Sequence, residues 1–155
     1  EIGVRLVGSE MCIRDSYKGC WAFPGGFLNM DETTDECAVR ELEEETGLRD
    51  VFVEQLQAFS DVDRDPRGRT ITVAYYALVN PVGINVAGYD DAADARWFTL
   101  SDMPSLAFDH EHVLQVALHR LALKVYLQLN EIEELDEHFK GFDLKRLQDL
   151  IPDKL

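Results

Sequence analysis

Apolar and polar residues follow two kinds of repeat along the chain. Residues 51–59 and 70–79 show partial alternation and are rich in branched and aromatic side chains, which predicts two β-strands. Residues 95–100 predict a third, shorter strand. From 33 to 47 capping residues bound a segment with one apolar stripe, and from 109 to 127 apolar residues return every three or four positions, which predicts two helices.

The ends of these helices carry suitable capping residues. Thr33 and Glu36 stand three positions apart, as in a capping box, and Gly47 suits the left-handed residue that ends a helix. Asp109 suits the N-cap of the second helix. The residues that we expect to face a sheet are Ala38, Val39 and Leu42 on the first helix, and Val113, Val116, Ala117, Leu121 and Val125 on the second.

Composition places the chain among globular proteins of one domain. Its 155 residues are 46% hydrophobic, and no apolar run is long enough to span a bilayer. The net charge of −15 argues against binding to nucleic acid or to an anionic membrane through bulk electrostatics. Cys12, Cys20 and Cys37 match no metal or disulfide spacing, so we expect free thiols and a cytoplasmic location.

One set of residues stands in a fixed frame, which we call the glutamate box (residues 26–48). It reads G-x5-E-x7-R-E-U-x-E-E-x-G-U, where U is a bulky aliphatic residue. Helical geometry puts Glu41, Glu44 and Glu45, the carboxylate cluster, within about 100° of one another. Such carboxylates repel each other unless cations neutralise them, and their hard oxygens suit Mg²⁺ or Mn²⁺. The alternative to a metal site is an acidic helix face that is simply solvated. The joint presence of Gly26, Glu32, Arg40 and Gly47 at fixed spacing favours the metal site.

The box resembles that of the Nudix hydrolases, and the resemblance implies roles for its glutamates. Glu41 and Glu45 are implied to bind metal, with Glu44 assisting. Gly25, just before the box, is implied to offer its backbone carbonyl to a metal, since glycine lets the backbone approach closely. The implied cofactor is Mg²⁺, with Mn²⁺ as a substitute. The implied reaction is attack of water on a phosphorus of a nucleoside diphosphate linked to a further group.

The same resemblance implies four catalytic residues and a fold. Glu44 and Glu45 are expected to act in catalysis, while Arg40 and Glu32 are expected to pair and hold loop and helix in place. The implied fold is α/β, an α/β/α sandwich with a mixed β-sheet. The box helix would lie on one side of the sheet and the helix at 109–127 on the other.

The ends of the chain depart from that family pattern. Residues 1–16 resemble a translated sequencing adapter, with a genuine edge strand as the alternative, so we expect a non-native leader and a sheet that lacks its native N-terminal strand. Residues 17–128 are predicted to form the Nudix domain. Residues 129–155 are predicted to form an acidic helical extension, with short helices at 131–139 and 142–151.

Arginines gather between the two longer predicted strands, in residues 60–69, which we call the arginine loop. A plain hairpin turn would explain Asp65-Pro66-Arg67-Gly68, but it needs no three arginines. Arg64, Arg67 and Arg69 bring bidentate phosphate donors into an acidic protein. The loop and the strand after it resemble the ADP-ribose pyrophosphatase branch of the family and its ADP-ribose-sensing regulators.

This second resemblance implies a substrate. We expect hydrolysis of ADP-ribose to AMP and ribose 5-phosphate, with the three loop arginines among the substrate contacts and Trp21 or Phe23 stacking on the adenine. Two alternatives stay open: a pyrophosphohydrolase of nucleoside triphosphates, and a non-catalytic ADP-ribose-binding module. Homodimers are frequent in this branch, so the resemblance allows one, and we expect neither nucleic acid nor membrane as a partner.

For several further polar residues, a structural role and a functional role are both considered. Asp91 and Asp94 lie where many members of the family place a metal ligand or general base, although solvated loop aspartates explain at least one of them. His110 and His112 have no third nitrogen or sulfur ligand at useful spacing, so no metal site is expected there. For His110, packing at the helix end is favoured over contact with substrate.

Overall fold

The elements of the fold follow the predicted order. The computed structural model describes residues 5–11, 17, 19–80, 84, 86 and 92–131. The elements are β1 (Arg5–Met11), β2 (Trp21–Ala22), α1 (Thr34–Thr46), β3 (Glu54–Phe59), β4 (Thr72–Tyr76), β5 (Ala92–Thr99), a 3₁₀ turn (Leu100–Asp102) and α2 (His110–Glu131). The predicted helices at 131–139 and 142–151 lie outside the described residues, apart from residue 131 at the end of α2.

The described strands pair in two antiparallel ladders. The first has the order β2-β1-β5, and the second joins β3 to β4. A parallel bridge between Trp21 and Leu106 adds the chain before α2 to the first ladder. The strands are therefore divided between two sheets, and α1 lies against β1 and β5 whereas α2 lies against β3. The predicted α/β architecture is confirmed.

A strand also occupies the segment that resembles an adapter sequence. The backbone of β1 pairs with β5 from Arg5↔Thr99 onward, and with β2 through Ser9↔Ala22 and Glu10↔Trp21. β1 is thus the central strand of its sheet. The foreign origin of residues 1–16 stays a prediction, while the structure places residues 5–11 in the sheet.

Helix α1 has the caps that its sequence predicts. The Thr33 hydroxyl accepts from the Glu36 N–H at 3.3 Å, and the Glu36 carboxylate accepts from the Thr33 N–H at 2.8 Å. Gly47 ends the helix with φ 74° and donates its N–H to the Glu43 carbonyl. A side chain at that φ would be strained, so glycine is needed there. The box helix therefore begins and ends as predicted.

Helix α2 supplies one side of the hydrophobic core. Leu56 and Phe59 of β3 pack with Val113, and Phe23 and Tyr76 lie partly buried against them. The apolar stripe that the sequence predicts on α2 is confirmed, because Val113, Leu121 and Val125 are buried and Val116 and Ala117 pack against the core. On α1 the prediction for Val39 is wrong: its side chain is exposed, and Cys37 and Thr46 are buried instead. In the described residues, no helix is both long and apolar enough to cross a membrane.

Candidate active site

Arg40 is the centre of the polar contacts in the box. Its guanidinium binds both oxygens of Glu32, at 2.9 Å from Nε and 2.6 Å from Nη2. Its Nη1 donates to Glu41 at 2.7 Å and to Glu44 at 2.9 Å. Nη2 also donates to the Phe27 carbonyl at 3.2 Å. One side chain thus joins the loop before α1 to two of the three carboxylates of the cluster.

The two glycines before α1 lie directly against the carboxylates. A Cβ atom placed on Gly26 would be 2.2 Å from Oε1 of Glu41, so any side chain at this position would displace that carboxylate. The Gly25 N–H donates to Oε1 of Glu45 at 3.5 Å. Glycine is therefore needed at position 26 because the loop lies close to α1. The sequence shows the glycine, and the structure shows the reason for it.

The Arg40–Glu32 contact is strongly ionic. Hydrogen bonds from Arg40, and then from the Asn29 N–H, lower the pKa of Glu32 from 4.5 to about 2. The same pairing raises the pKa of Arg40, first through Glu32 and then through Glu41. Glu32 is therefore ionised at neutral pH, and Arg40 stays charged beside it.

The donor set suits a hard divalent cation. Three carboxylates share one helix face, and a side-chain-free backbone stands against one of them. In the described part of the chain, however, no three His, Cys, Asp or Glu side chains already converge on one point. Arg40 draws Glu41 and Glu44 toward itself, so a cation would need those two side chains to turn. The ligand chemistry fits, while the ligand positions are those of carboxylates held by an arginine.

The three loop arginines have different surroundings. The side chain of Arg64 is 5% exposed, and it binds both oxygens of Asp109, at 2.9 and 2.7 Å, and the Thr72 hydroxyl at 2.6 Å. Arg67 is half exposed, pairs with Asp65 and lies 4.5 Å over the Phe108 ring. Its hydrogen bonds lower the pKa of Asp65. Arg64 is thus engaged inside the protein, away from the box.

Arg69 is the third arginine of this loop. It is exposed, and its Nη1 donates to the carbonyls of Ser60, Asp61 and Thr70, the first at 3.0 Å. Arg67 and Arg69 therefore keep their guanidinium groups at the surface, where an anionic ligand has access to them. The structure does not bring the three arginines together at one point of contact.

Trp21 and Phe23 are both packed against other rings. Trp21 meets Phe98 edge-on with ring centroids 4.6 Å apart, and the Arg96 guanidinium lies 5.5 Å from its ring. Phe23 is stacked on His110 at 5.3 Å and belongs to the core. Each of the two rings that we expected to stack on the adenine is thus in contact with another side chain of the protein.

His110 connects the segment before the box to the start of α2. Its Nδ1 accepts from the Phe23 N–H at 3.0 Å, which leaves the proton of the neutral ring on Nε2. Burial lowers its pKa to about 4. His112 is exposed and meets Phe59 edge-on at 5.7 Å. The packing role favoured for His110 agrees with these contacts.

The other residues named from sequence are not gathered at the box. Asp94 pairs with Arg96 within β5, at 2.6 Å between Oδ2 and Nε. Asp91 lies outside the described residues. Asp109, predicted as an N-cap, directly precedes α2 and gives both carboxylate oxygens to Arg64.

Sequence reasoning missed an exposed apolar loop in front of α1. Phe27 is 81% exposed, Leu28 52% and Met30 103%, and we call these three residues the apolar loop. In the sequence, these residues stand out only as three apolar side chains directly after Gly26 that belong to no predicted helix or strand. From the sequence alone they could equally be buried.

Known proteins resemble this chain over most of its length. The model of the NUDIX domain family matches residues 5–118. An ADP-ribose pyrophosphatase of Methanocaldococcus jannaschii is 42% identical over 99 residues, which is 64% of this chain and 57% of that protein. The ADPR responsive transcriptional repressor NtrR of Acinetobacter baylyi is 33% identical over 138 residues, 86% of this chain and 55% of the repressor.

A solved structure extends the similarity to three dimensions. The NUDIX domain of Shewanella oneidensis NrtR, crystallised with ADP ribose, superposes with a TM-score of 0.69 at 30% identity. The match covers 77% of this chain and 79% of that domain. By contrast, the chain spans little more than half the length of the two curated relatives, 57% and 55%.

Proposed function

The chain belongs to the Nudix family, and on that premise we propose that it hydrolyses the diphosphate bond of ADP-ribose, or of a related nucleoside diphosphate linked to another group. The products would be AMP and ribose 5-phosphate. The observation that carries this proposal is that Arg40 holds Glu32, Glu41 and Glu44 of the glutamate box together. The similarity to an ADP-ribose pyrophosphatase supports the choice of substrate.

The carboxylate cluster would hold the metal in this proposal. Glu41, Glu44, Glu45 and the Gly25 carbonyl are its ligands, with Mg²⁺ the expected ion and Mn²⁺ a substitute. Once bound, the ion supplies positive charge that polarises the phosphoryl oxygens and lowers the pKa of water. It also offsets the net charge of −15, which would otherwise repel a diphosphate.

The chain itself would orient the reacting groups. Arg40 limits where Glu41 and Glu44 can turn, and Glu32 holds Arg40 through two hydrogen bonds. Gly26 keeps a side chain away from the Glu41 carboxylate, where the diphosphate would approach the cluster. Among the loop arginines, Arg67 and Arg69 are the ones that we propose contact the diphosphate or the ribose phosphate, since Arg64 is buried.

The first test is direct detection of products. ADP-ribose and a deoxynucleoside triphosphate are incubated separately with the protein and Mg²⁺, with EDTA as control, and the products are separated by chromatography. We expect AMP from ADP-ribose and none with EDTA. Cleavage of the triphosphate alone would replace the proposal by the nucleotide-pool alternative, and cleavage of neither by a folded protein would contradict both enzymatic readings.

A non-catalytic ADP-ribose-binding module is the second candidate. The similarity to a transcriptional repressor that responds to ADPR favours it. The complete box argues for catalysis, because a binding module has no need to keep every metal ligand. Calorimetric binding of ADP-ribose together with no AMP release in Mg²⁺ would select the module. Absence of nucleic-acid binding and the homodimer stay predictions in either case.

A further inference from the structure

The apolar loop is exposed although its backbone is held in place. The Phe27 carbonyl accepts from Arg40 at 3.2 Å, and the Asn29 N–H donates to Glu32 at 2.8 Å. Because these two partners also bind each other, the backbone at Phe27 and at Asn29 is held by one ion pair. Its large apolar side chains nonetheless face solvent. Exposed apolar groups on a fixed backbone commonly mark a surface that meets another molecule.

The position of the loop relates it to the carboxylate cluster. The guanidinium that holds the Phe27 carbonyl also holds Glu41 and Glu44. Gly26, the residue before Phe27, is in contact range of the Glu41 carboxylate. The backbone of Phe27 is therefore fixed next to the cluster, to which a cation would draw the phosphates of a ligand.

The two aromatic residues predicted to stack on a base are engaged elsewhere. Trp21 packs on Phe98, and Phe23 packs on His110 and in the core. Phe27 is the aromatic ring that directly follows the two glycines and stays 81% exposed. An aromatic face with neighbouring aliphatic groups suits a nucleobase, since every base has a π-face that stacks on such a ring.

From these contacts we propose that Phe27, with Leu28 and Met30 beside it, forms the surface on which the nucleobase of the substrate stacks. The inference rests on the proposed function, because it needs a nucleoside diphosphate held at the carboxylate cluster. Self-association explains the loop less well. Three side chains cover far less than the roughly 800 Å² per partner of a stable interface, and the cluster beside them would bring like charges together.

A second exposed phenylalanine provides a matched control. Phe52 is 84% exposed, and it lines a groove of about 1080 Å³ together with Arg40 and Glu44. Phe52 therefore matches Phe27 in chemistry and exposure and is also the rival surface for the base. Replacing each phenylalanine separately distinguishes the two surfaces.

The test compares ligands with and without a base. Calorimetric dissociation constants in Mg²⁺ are measured for AMP and for ribose 5-phosphate with wild type, Phe27→Ala and Phe52→Ala, after circular dichroism has confirmed folding. We expect Phe27→Ala to weaken AMP binding about tenfold, within the range for loss of one base–aromatic stack. Ribose 5-phosphate binding should not change, and Phe52→Ala should match wild type with both ligands.

Other outcomes overturn the inference in distinguishable ways. Unchanged AMP affinity in Phe27→Ala, equal weakening of both ligands, or weakening by Phe52→Ala alone would each show that the base stacks elsewhere. If wild type still releases AMP from ADP-ribose, only this inference fails. If wild type neither binds AMP nor cleaves ADP-ribose, the proposed function fails with it.

Discussion

At the scale of single residues, Arg40 organises the candidate site through one planar group. Its five donors reach Glu32, two members of the carboxylate cluster and the Phe27 carbonyl. A lysine would keep the charge but lose this fork of donors. The box therefore requires arginine at this position for geometry as much as for charge.

Glu45 is the member of the cluster whose loss tests the proposed metal site most directly. It lies on the side of α1 that meets Gly25. We expect Glu45→Gln to lower turnover of ADP-ribose by about two orders of magnitude or more, because it removes a charged ligand that stabilises the transition state through the metal. Steady-state release of AMP measures the effect.

Glu43→Gln is the control for that substitution. Glu43 lies on the same helix but pairs with Arg49 at 2.8 Å, whereas Glu41 and Glu44 pair with Arg40. Its replacement should leave turnover within about twofold of wild type, since surface ion pairs contribute little. Turnover of Glu45→Gln within the same range would remove Glu45 from the metal site.

At the scale of elements, the contact between the start of α2 and the segment after β2 is made by a partly buried, neutral histidine. His110 has a pKa of about 4, below its usual 6.5. Between these values the unfolded chain binds more protons than the folded one. The stabilising effect of the neutral ring is therefore complete above about pH 6.5 and is lost as pH falls toward about 4.

This linkage gives a measurable pH dependence. On going from pH 7 to pH 4, the wild type should lose up to about 3 kcal/mol of unfolding free energy through His110 alone. His110→Asn keeps an acceptor near the Phe23 N–H and lacks this component, so its urea denaturation should depend less on pH. His112→Asn changes an exposed residue and should behave as wild type. Identical pH dependence in His110→Asn and wild type would contradict the assignment.

At the scale of the whole molecule, long-range polar contacts connect elements that the backbone keeps apart. Arg64 joins the arginine loop to Asp109 at the start of α2. The Tyr75 hydroxyl of β4 binds Thr34 at the start of α1, at 2.8 Å, and also Asp35. These contacts connect the β3–β4 sheet with both helices, so the position of the box depends on residues outside it.

Arg64 and Arg69 separate a structural role from a surface role within one loop. Arg64→Met leaves Asp109 without its partner, and we expect it to lower the unfolding free energy by about 3 kcal/mol. Arg69→Met should change it by less than about 0.5 kcal/mol, because Arg69 is exposed. Urea denaturation at pH 7 measures both. Equal stability of the two variants would show that the Arg64–Asp109 pair does not hold the loop.

Much of α1 is determined by the sequence alone. Its caps at Thr33 and Gly47 and the shared face of the carboxylate cluster follow from contacts between residues at most four positions apart. The sequence also predicts the buried stripe of α2, because the helical repeat places its apolar residues on one face and such a face packs against the core. Val39 shows the limit of such reasoning, since which stripe meets a sheet depends on where the sheet lies.

Only the tertiary structure decides which polar and aromatic groups remain available to a ligand. Arg64 meets a carboxylate 45 residues away, and Phe23 meets His110 across 87 residues. These partners bury Arg64 and cover one face of the Phe23 ring, while Phe27, which no local pattern distinguishes, stays exposed. The local spacing of charges specifies the chemistry of the box, and contacts between distant segments specify which of its neighbours a substrate can reach.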